Sequence, residues 1–334
     1  MNRPDWSAYS EKRVLVTGGL GFMGFNLVRA LDEAGAHLSV LGHSWPPQPE
    51  SVGSILGKVT FFKGDIRDPA LIDEAIVGCE VIFHLAGKSG PAASNASPLD
   101  DLDVNSRGTL TLLDSCRRRN PTVKVVFPSS RLVYGAAAKL PVTEAAPTAP
   151  LSIYGIHKLA AEQYLLLHQR LHGMRASILR ITNPYGPFQR PEQNRYGIVN
   201  WFIHEALHDH TLTVYGDGKQ LRDYIHVDDA VDAMLTAGLS PEADGKIFNV
   251  GSGRGVSFVA VAEHIVRAAG RGRIEHVAWP ADAAVVETGD FVADTSLIEK
   301  RLGWKARIPL ESGIEDVIVR YAKLDLASPS AQGS

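Results

Sequence analysis

The sequence predicts an α/β fold, a doubly wound parallel sheet carrying a smaller, interleaved α/β unit. Three observations predict it. Short apolar runs rich in β-branched residues alternate with helix-length amphipathic stretches through the first half of the chain, the rhythm of a parallel sheet covered on both faces. A glycine-rich turn, Thr17-Gly18-Gly19-Leu20-Gly21-Phe22-Met23-Gly24, separates the first such run from the first amphipathic stretch. Past Asn183 the alternation loosens into loops marked by Pro184, Gly186, Pro187 and Pro191, and then resumes.

In chain order, residues 13–17 (Arg-Val-Leu-Val-Thr) read as a buried parallel strand. Residues 22–34 follow with helical spacing and stop at Gly35. The strand pattern recurs at 37–41, 59–62, 80–85 and 123–128, with helical stretches at 69–77 and 101–119 between. A longer amphipathic stretch, 154–172, leads to a strand at 176–180. Beyond the loops come a helix at 197–208, β structure at 212–215, a helix at 227–239, a strand at 247–250 and a helix at 257–269. The tail after Leu326 is small and polar and is expected to fray. No internal repeat or flexible linker is visible. The expected division is a first unit over 1–182, with segments returning at about 223–251, and a second over 183–222 and 252–326.

The 334 residues suffice for a sizeable core, and 45% hydrophobic with 21% charged content suits a soluble globular enzyme. A net charge of −3 gives no footprint for nucleic acid, and Arg117-Arg118-Arg119 reads as the basic end of a helix. The polar start lacks a signal-peptide core and no apolar run reaches the ~18 residues of a membrane span. Cys79 and Cys116 lack ligand spacing and sit in apolar surroundings, as reduced buried thiols do. A soluble, cytoplasmic protein is expected. The twelve histidines show no metal-ligand pattern, so no metal is expected.

Gly18, Gly21 and Gly24 carry the chemistry of the first turn. Such glycines allow unusual dihedrals, close approach of backbone to a pyrophosphate, and tight helix–strand packing. The following helix N-terminus supplies N–H donors to phosphate. A Rossmann-type dinucleotide site follows, with Phe22 and Met23 at the helix start. The second strand ends in Val40-Leu41-Gly42-His43-Ser44, with neither the carboxylate that accepts from ribose hydroxyls nor an arginine. The reading favours NAD without excluding NADP. Asp65, followed by Ile66, either bonds the adenine edge or simply starts a loop.

Tyr154 and Lys158 stand four residues apart, one helical turn, on one face. A free phenol, with a pKa of about 10, is a poor base near neutrality, and a neighbouring ammonium favours its ionised form. Ser130 lies directly beyond the strand 123–128 and points a hydroxyl toward the crevice where parallel sheets bind ligands. Redox chemistry at an alcohol carbon is the implied reaction.

On these residues the chain resembles the extended short-chain dehydrogenase/reductases of the NAD-dependent epimerase/dehydratase family, closest in layout to UDP-glucose 4-epimerases. Further matching stretches are His84-Leu85-Ala86-Gly87, Asn105 with Gly108-Thr109, Arg180-Ile181-Thr182-Asn183-Pro184-Tyr185-Gly186, and Gly216-Asp217-Gly218 leading to Arg222-Asp223-Tyr224-Ile225-His226-Val227-Asp228-Asp229. The resemblance implies that Ser130, Tyr154 and Lys158 are catalytic and that Leu85, Ala86 and Gly87 help to hold the cofactor. It implies that Asn183 touches a nucleotide-sugar and Arg222 its diphosphate, an ion pair with Asp223 or Asp228 being the alternative. Asn105 is expected to support the backbone of the site. It also implies a homodimer through the helices 101–119 and 154–172, with Leu159, Tyr164, Leu165 and Leu166 offering apolar surface.

Departures narrow the reaction. The related 4,6-dehydratases follow the hydroxyl residue with Asp-Glu; here Arg131 and Leu132 stand there and cannot supply that acid–base pair. UDP-glucuronate decarboxylases, with a glutamate at the place of Leu132, are disfavoured likewise. Arg131 either faces a substrate carboxylate or phosphate, or pairs with a nearby acid. Related epimerases place an arginine two residues before Gly289; Glu287 reverses that charge and is free to bond sugar hydroxyls. The expected activity is nucleotide-sugar epimerisation, most directly at C4, through a transient ketone. The alternatives are a net NAD(P)-dependent nucleotide-sugar reductase or dehydrogenase, and a non-catalytic dinucleotide sensor.

Overall fold

The structure, a computed structural model, describes residues 5–43, 58–189 and 197–327. Its strands are β1 (Arg13–Thr17), β2 (His37–Gly42), β3 (Thr60–Lys63), β4 (Val81–His84), β5 (Lys124–Ser130), β6 (Arg175–Ile181), β7 (Asn183–Tyr185), β8 (Thr211–Tyr215), β9 (Leu221–His226), β10 (Lys246–Val250), β11 (Gly255–Ser257) and β12 (Arg273–Val277). The principal helices are α1 (Phe22–Glu33), α2 (Pro69–Ala75), α3 (Gly108–Arg119), α4 (Ile153–His172), α5 (Ile198–Leu207), α6 (Val227–Leu239), α7 (Phe258–Ala269) and α8 (Leu310–Ala327).

Seven strands form one all-parallel sheet in the order β10-β6-β5-β4-β1-β2-β3. The expected doubly wound sheet is therefore present. Alternation along β1 explains why both faces need cover: Val14 and Val16 enter one core, Leu15 the other. The first core is filled by Leu27, Val28 and Leu31 of α1 with Val231 and Met234 of α6. The second takes Ile72 of α2, Leu112 and Cys116 of α3, and Ala161 and Leu165 of α4. Cys79 and Cys116 are free thiols buried in that second core. A third core, with Phe202, Ile203, Val261, Ile265 and Val317, joins α5, α7 and α8 to a three-stranded sheet β11-β9-β7 and the pair β12-β8. Among the described residues no helix is long and apolar enough to cross a membrane.

The structure differs from expectation at three places. The single helix expected over 101–119 is interrupted by a π-helical turn, Leu102–Arg107, that follows Pro98–Asp101 and precedes α3. β9 (Leu221–His226) forms the middle strand of the small sheet, and α8 was not foreseen from spacing. Pro191 and Ser44, noted from the sequence, lie outside the described residues, as does the end of the polar tail.

Two buried polar assemblies hold the strand ends. Glu162 of α4, fully buried, receives Arg180 of β6 through Nη2 at 2.6 Å and Nε at 3.0 Å, and the Ser129 hydroxyl of β5 at 2.5 Å. The guanidinium also covers the Tyr134 ring at 4.6 Å, and the Tyr134 hydroxyl donates to Asn249 of β10. The second assembly is a chain. Ala86 N–H donates to Thr17 Oγ1, which bonds His84 Nδ1 at 2.8 Å; His84 Nε2 bonds Thr109 Oγ1 at 3.0 Å; Thr109 donates to the Asn105 carbonyl. The Thr109 proton is committed to Asn105, so Nε2 must donate, which leaves Nδ1 to accept from Thr17. This fixes a neutral tautomer. Burial pushes His84 down to about 3.

Two predictions follow from these assemblies. Arg180→Met strands the Glu162 carboxylate and costs about 3–5 kcal/mol in urea unfolding, whereas Arg180→Met with Glu162→Met recovers most of it; equal losses in both variants would refute the pairing argument. His84 is depressed below its unfolded value, so the unfolded state binds the extra proton between those two values. Its contribution is complete above the unfolded histidine pKa and is lost as pH falls toward about 3, at up to about 1.4 kcal/mol per pH unit. The stability gap between the protein and His84→Gln, followed by urea unfolding from pH 7 to pH 4, narrows accordingly; a pH-independent gap contradicts this.

Candidate active site

A cavity of about 810 Å³ lies beyond the C-terminal ends of β1, β4, β5 and β6, where the crevice of a parallel sheet binds ligands. Gly18, Gly21, Phe22, Met23, Gly24, Leu85 and Gly87 border one end. Gly18 has φ +69, and a Cβ there would lie 2.6 Å from Ala86 N, so the turn presses on the chain leaving β4. A Cβ on Gly24 would stand 2.2 Å from Gly18 O, which explains the glycine that lets α1 sit on its own turn. Gly21 differs: a Cβ there meets only Gly18 O, at 3.4 Å. What its missing side chain preserves is open space over the α1 N-terminus, which no side chain caps. Unspent first-turn N–H groups facing an open cradle fit a pyrophosphate.

Ile66 and Ala86 do not border the cavity, and neither does Asp65. Ile66 is core, packed against Gly108. The Asp65 carboxylate is engaged by Arg67 Nε at 2.9 Å and Nη2 at 2.6 Å, which holds it below the usual carboxylate range. The adenine-edge role considered for Asp65 therefore competes with a bidentate arginine, a partner two residues away that the sequence did not flag. Asn105, on the π-helical turn, clamps Lys88 from both sides, accepting from its N–H at 3.0 Å and donating to its carbonyl at 3.1 Å.

Ser130 and Tyr154 border the middle of the cavity. Ser130 ends β5, and its Oγ accepts from Leu132 N–H at 3.2 Å, which leaves its own proton to donate into the cavity. Tyr154 lies in the first turn of α4, a helix capped by Ser152, with its own N–H bonded to Ser94 Oγ. Lys158 Nζ donates to the Pro128 carbonyl at 3.0 Å, 4.5 Å from the Phe127 ring centre and 5.9 Å from that of Tyr154. Burial pushes the Tyr154 phenol up to about 12, against the Ser130 hydroxyl, which acts the other way. Burial likewise pushes Lys158 down to about 8, opposed by Asp101 and Glu162. Lys158, expected to favour the phenolate by its charge, lies beside the Tyr154 ring, and desolvation acts against that effect.

The other end of the cavity carries Arg131, Asn183, Arg222 and Glu287. Arg222 of β9 is buried and pairs with neither Asp223 nor Asp228. Its Nη2 meets Glu287, and its Nη1 donates to the Gly289 and Leu221 carbonyls. Glu287 also accepts from Gly289 N–H at 2.9 Å through the same oxygen, Oε1, that meets Arg222. Asp223 points away from the cavity and accepts from Ser252 N–H and Oγ–H and from Gly253 and Ala293 N–H. Arg131 pairs with no acid among the described residues: Nε donates to Asn183 Oδ1 at 3.2 Å and Nη1 to Thr288 Oγ1 at 2.9 Å. Tyr224, Thr288, Phe258 and Trp279 also border this end and were not singled out from the sequence. Tyr224 had a readable signal, standing two residues from Arg222 and so on the same strand face.

Comparison with known proteins gives the same picture. A UDP-glucose 4-epimerase of Mycolicibacterium smegmatis is 33% identical over 312 residues, 92% of this chain and 97% of that protein. A dTDP-glucose 4,6-dehydratase of Streptomyces niveus is 28% identical over 322 residues, 92% of each chain. The crystal structure of UDP-glucose 4-epimerase with UDP-glucose from Thermotoga maritima superposes with a TM-score of 0.84 at 29% identity, covering 93% of this chain and 99% of that one. The model of the NAD dependent epimerase/dehydratase family matches residues 14–251. The chain belongs to the NAD dependent epimerase/dehydratase family.

Proposed function

We propose that this protein is a nucleotide-sugar epimerase that inverts a hydroxyl-bearing sugar carbon, C4 first among them, with bound NAD. The observation that carries the reading is one cavity with a pyrophosphate cradle at one end, Ser130 and Tyr154 in the middle and arginines at the other. That order matches a dinucleotide, a reacting alcohol and a second diphosphate laid end to end. The likeness to UDP-glucose 4-epimerases over nearly the whole chain supports it. The dehydratase relative favours elimination, but Leu132 leaves no acid–base pair beside Ser130.

Bound NAD supplies reversible hydride acceptance at the reacting carbon. The Gly18–Gly24 turn and the α1 N-terminus hold its pyrophosphate. Ser130 donates to the reacting oxygen and orients it. Tyr154, as the phenolate that the charge of Lys158 favours against desolvation, would take the hydroxyl proton as the ketone forms and return it after the sugar has turned over in the cavity. Lys158, fixed by Pro128, keeps a positive charge on the tyrosine side. Net inversion consumes no cofactor, which distinguishes it from a reductase.

The exposed face of the helical layer supports a homodimer. Leu159 and Leu166 are partly covered by core, Tyr164 packs against it and Leu165 is fully buried, so the surface expected from those four is mostly spent. Ile156, Leu167 and Leu171 of α4 and Leu110 of α3 are instead exposed by 47%, 42%, 63% and 41%. Ile156, Leu167 and Leu171 recur at helical spacing on one face, as an interhelical seam requires. Reduced thiols at Cys79 and Cys116 suit the cytoplasm.

Purified protein should interconvert at least one epimer pair among UDP- and dTDP-linked hexoses, N-acetylhexosamines and uronates, without stoichiometric turnover of added NAD or NADPH. Tyr154→Phe should lower kcat by about 10²–10⁴. Absence of inversion with every one of these sugars sinks the reading. Ile156→Glu with Leu167→Glu should convert a dimer to a monomer in light scattering after size exclusion; an unchanged mass would dismiss this seam.

A further inference from the structure

The proposed reading leaves one charge unexplained. Arg131 is 8% exposed, and among the described residues no carboxylate lies within ion-pair distance of its guanidinium. Its side-chain partners among the described residues are the neutral Asn183 and Thr288 and the Phe291 ring, 5.3 Å away. Such a buried, unmatched cation is costly unless a ligand completes it. Burial, with help from nearby Arg222 and against the more distant charge of Glu287, pushes Arg131 down to about 9. Arg222 has a counter-ion in Glu287, whose side chain is 25% exposed on the loop before Gly289. Tyr224, 3% exposed, borders the same end of the cavity with a hydroxyl that has no hydrogen-bond partner. With Glu287 in place, the group Arg131, Arg222 and Glu287 carries one net positive charge; with Glu287 displaced it carries two.

Resting on the nucleotide-sugar reading, we propose that Arg131 and Arg222 together, with the Tyr224 hydroxyl, seat the diphosphate of the nucleotide sugar, and that Glu287 is the exchangeable counter-ion it displaces. Two arginines match the two negative charges of a diphosphate, and guanidinium forks suit its oxygens. The second cation thus comes from the end of β5, next to Ser130, and not from the loop before Gly289. Glu287 keeps Arg222 compensated in the empty cavity, and its partial exposure gives it a path to water when phosphate arrives. This arrangement ties the anchor of the substrate to the backbone that carries the reacting hydroxyl.

Isothermal titration of the NAD-loaded protein with UDP and dTDP, with UMP as the monophosphate control, tests this. Arg131→Gln should weaken the better diphosphate by about 10- to 100-fold, with UMP less affected, and Arg131→Lys should recover part of the loss. Glu287→Gln should tighten the diphosphate by about tenfold. The proposal is overturned if Arg131→Gln, melting like the wild type, binds the diphosphates unchanged, or if Glu287→Gln weakens them. Weakening by Arg131→Gln confined to UDP-glucuronate, with UDP and UDP-glucose unaffected, would likewise overturn it and make Arg131 a carboxylate reader. Wild-type protein that binds neither diphosphate refutes the nucleotide-sugar reading itself and this seat with it; wild-type binding that ignores residue 131 removes the seat alone.

Discussion

The buried pair between Glu162 and Arg180 is the contact on which the geometry of the site depends. Glu162 stands one turn beyond Lys158 on the helix that also carries Tyr154, and Ser129, which donates to it, directly precedes Ser130. One carboxylate therefore fixes the helix against the two strand ends that face the cavity. Ion pairs of this kind contribute little net stability, because desolvation offsets attraction. Their value is in position: sliding α4 by a residue or rotating it would leave a charge unpaired in the core. Precision between a helix-borne phenol and a strand-borne hydroxyl is what proton transfer demands.

Desolvation also sets the chemistry of the cavity. It raises the Tyr154 phenol, lowers Lys158 and Arg131, and keeps His84 neutral. In each case burial is the largest cause, ahead of any neighbouring charge. The site holds its cations at a cost, and neutral carbonyls, hydroxyls and rings share in stabilising them. Lys158 is typical, with the Pro128 carbonyl and the Phe127 ring as its nearest support.

Much of this was legible in the sequence, for reasons that differ by element. β1 and α6 emerged at their observed bounds because an apolar run and an amphipathic period are local signals. The glycine turn was legible because its glycine spacing between a strand and a helix is a local signal. The break at Leu102–Arg107 was not: a π-helical turn keeps the composition of a helix and betrays itself only in hydrogen bonding. The pairing of Arg222 with Glu287 joins residues 65 apart and depends on how a loop folds back, so no spacing rule could supply it. The upward push on Tyr154 was not legible because the motif shows the neighbouring lysine but not the depth of burial.

β9 shows how the electrical character of the cavity arises. Arg222 and Tyr224 face the cavity while Asp223 between them is turned back, its carboxylate filled by Ser252, Gly253 and Ala293. The strand is pinned on both sides, with Tyr224 opposite Asn183 and Asp223 opposite Gly255. Because side chains alternate, a slip of one residue would exchange the faces. The acid would then look into the cavity and the guanidinium would be thrust among backbone amides. Whether this pocket attracts or repels an anion is therefore decided by strand pairing, and composition alone is silent on it.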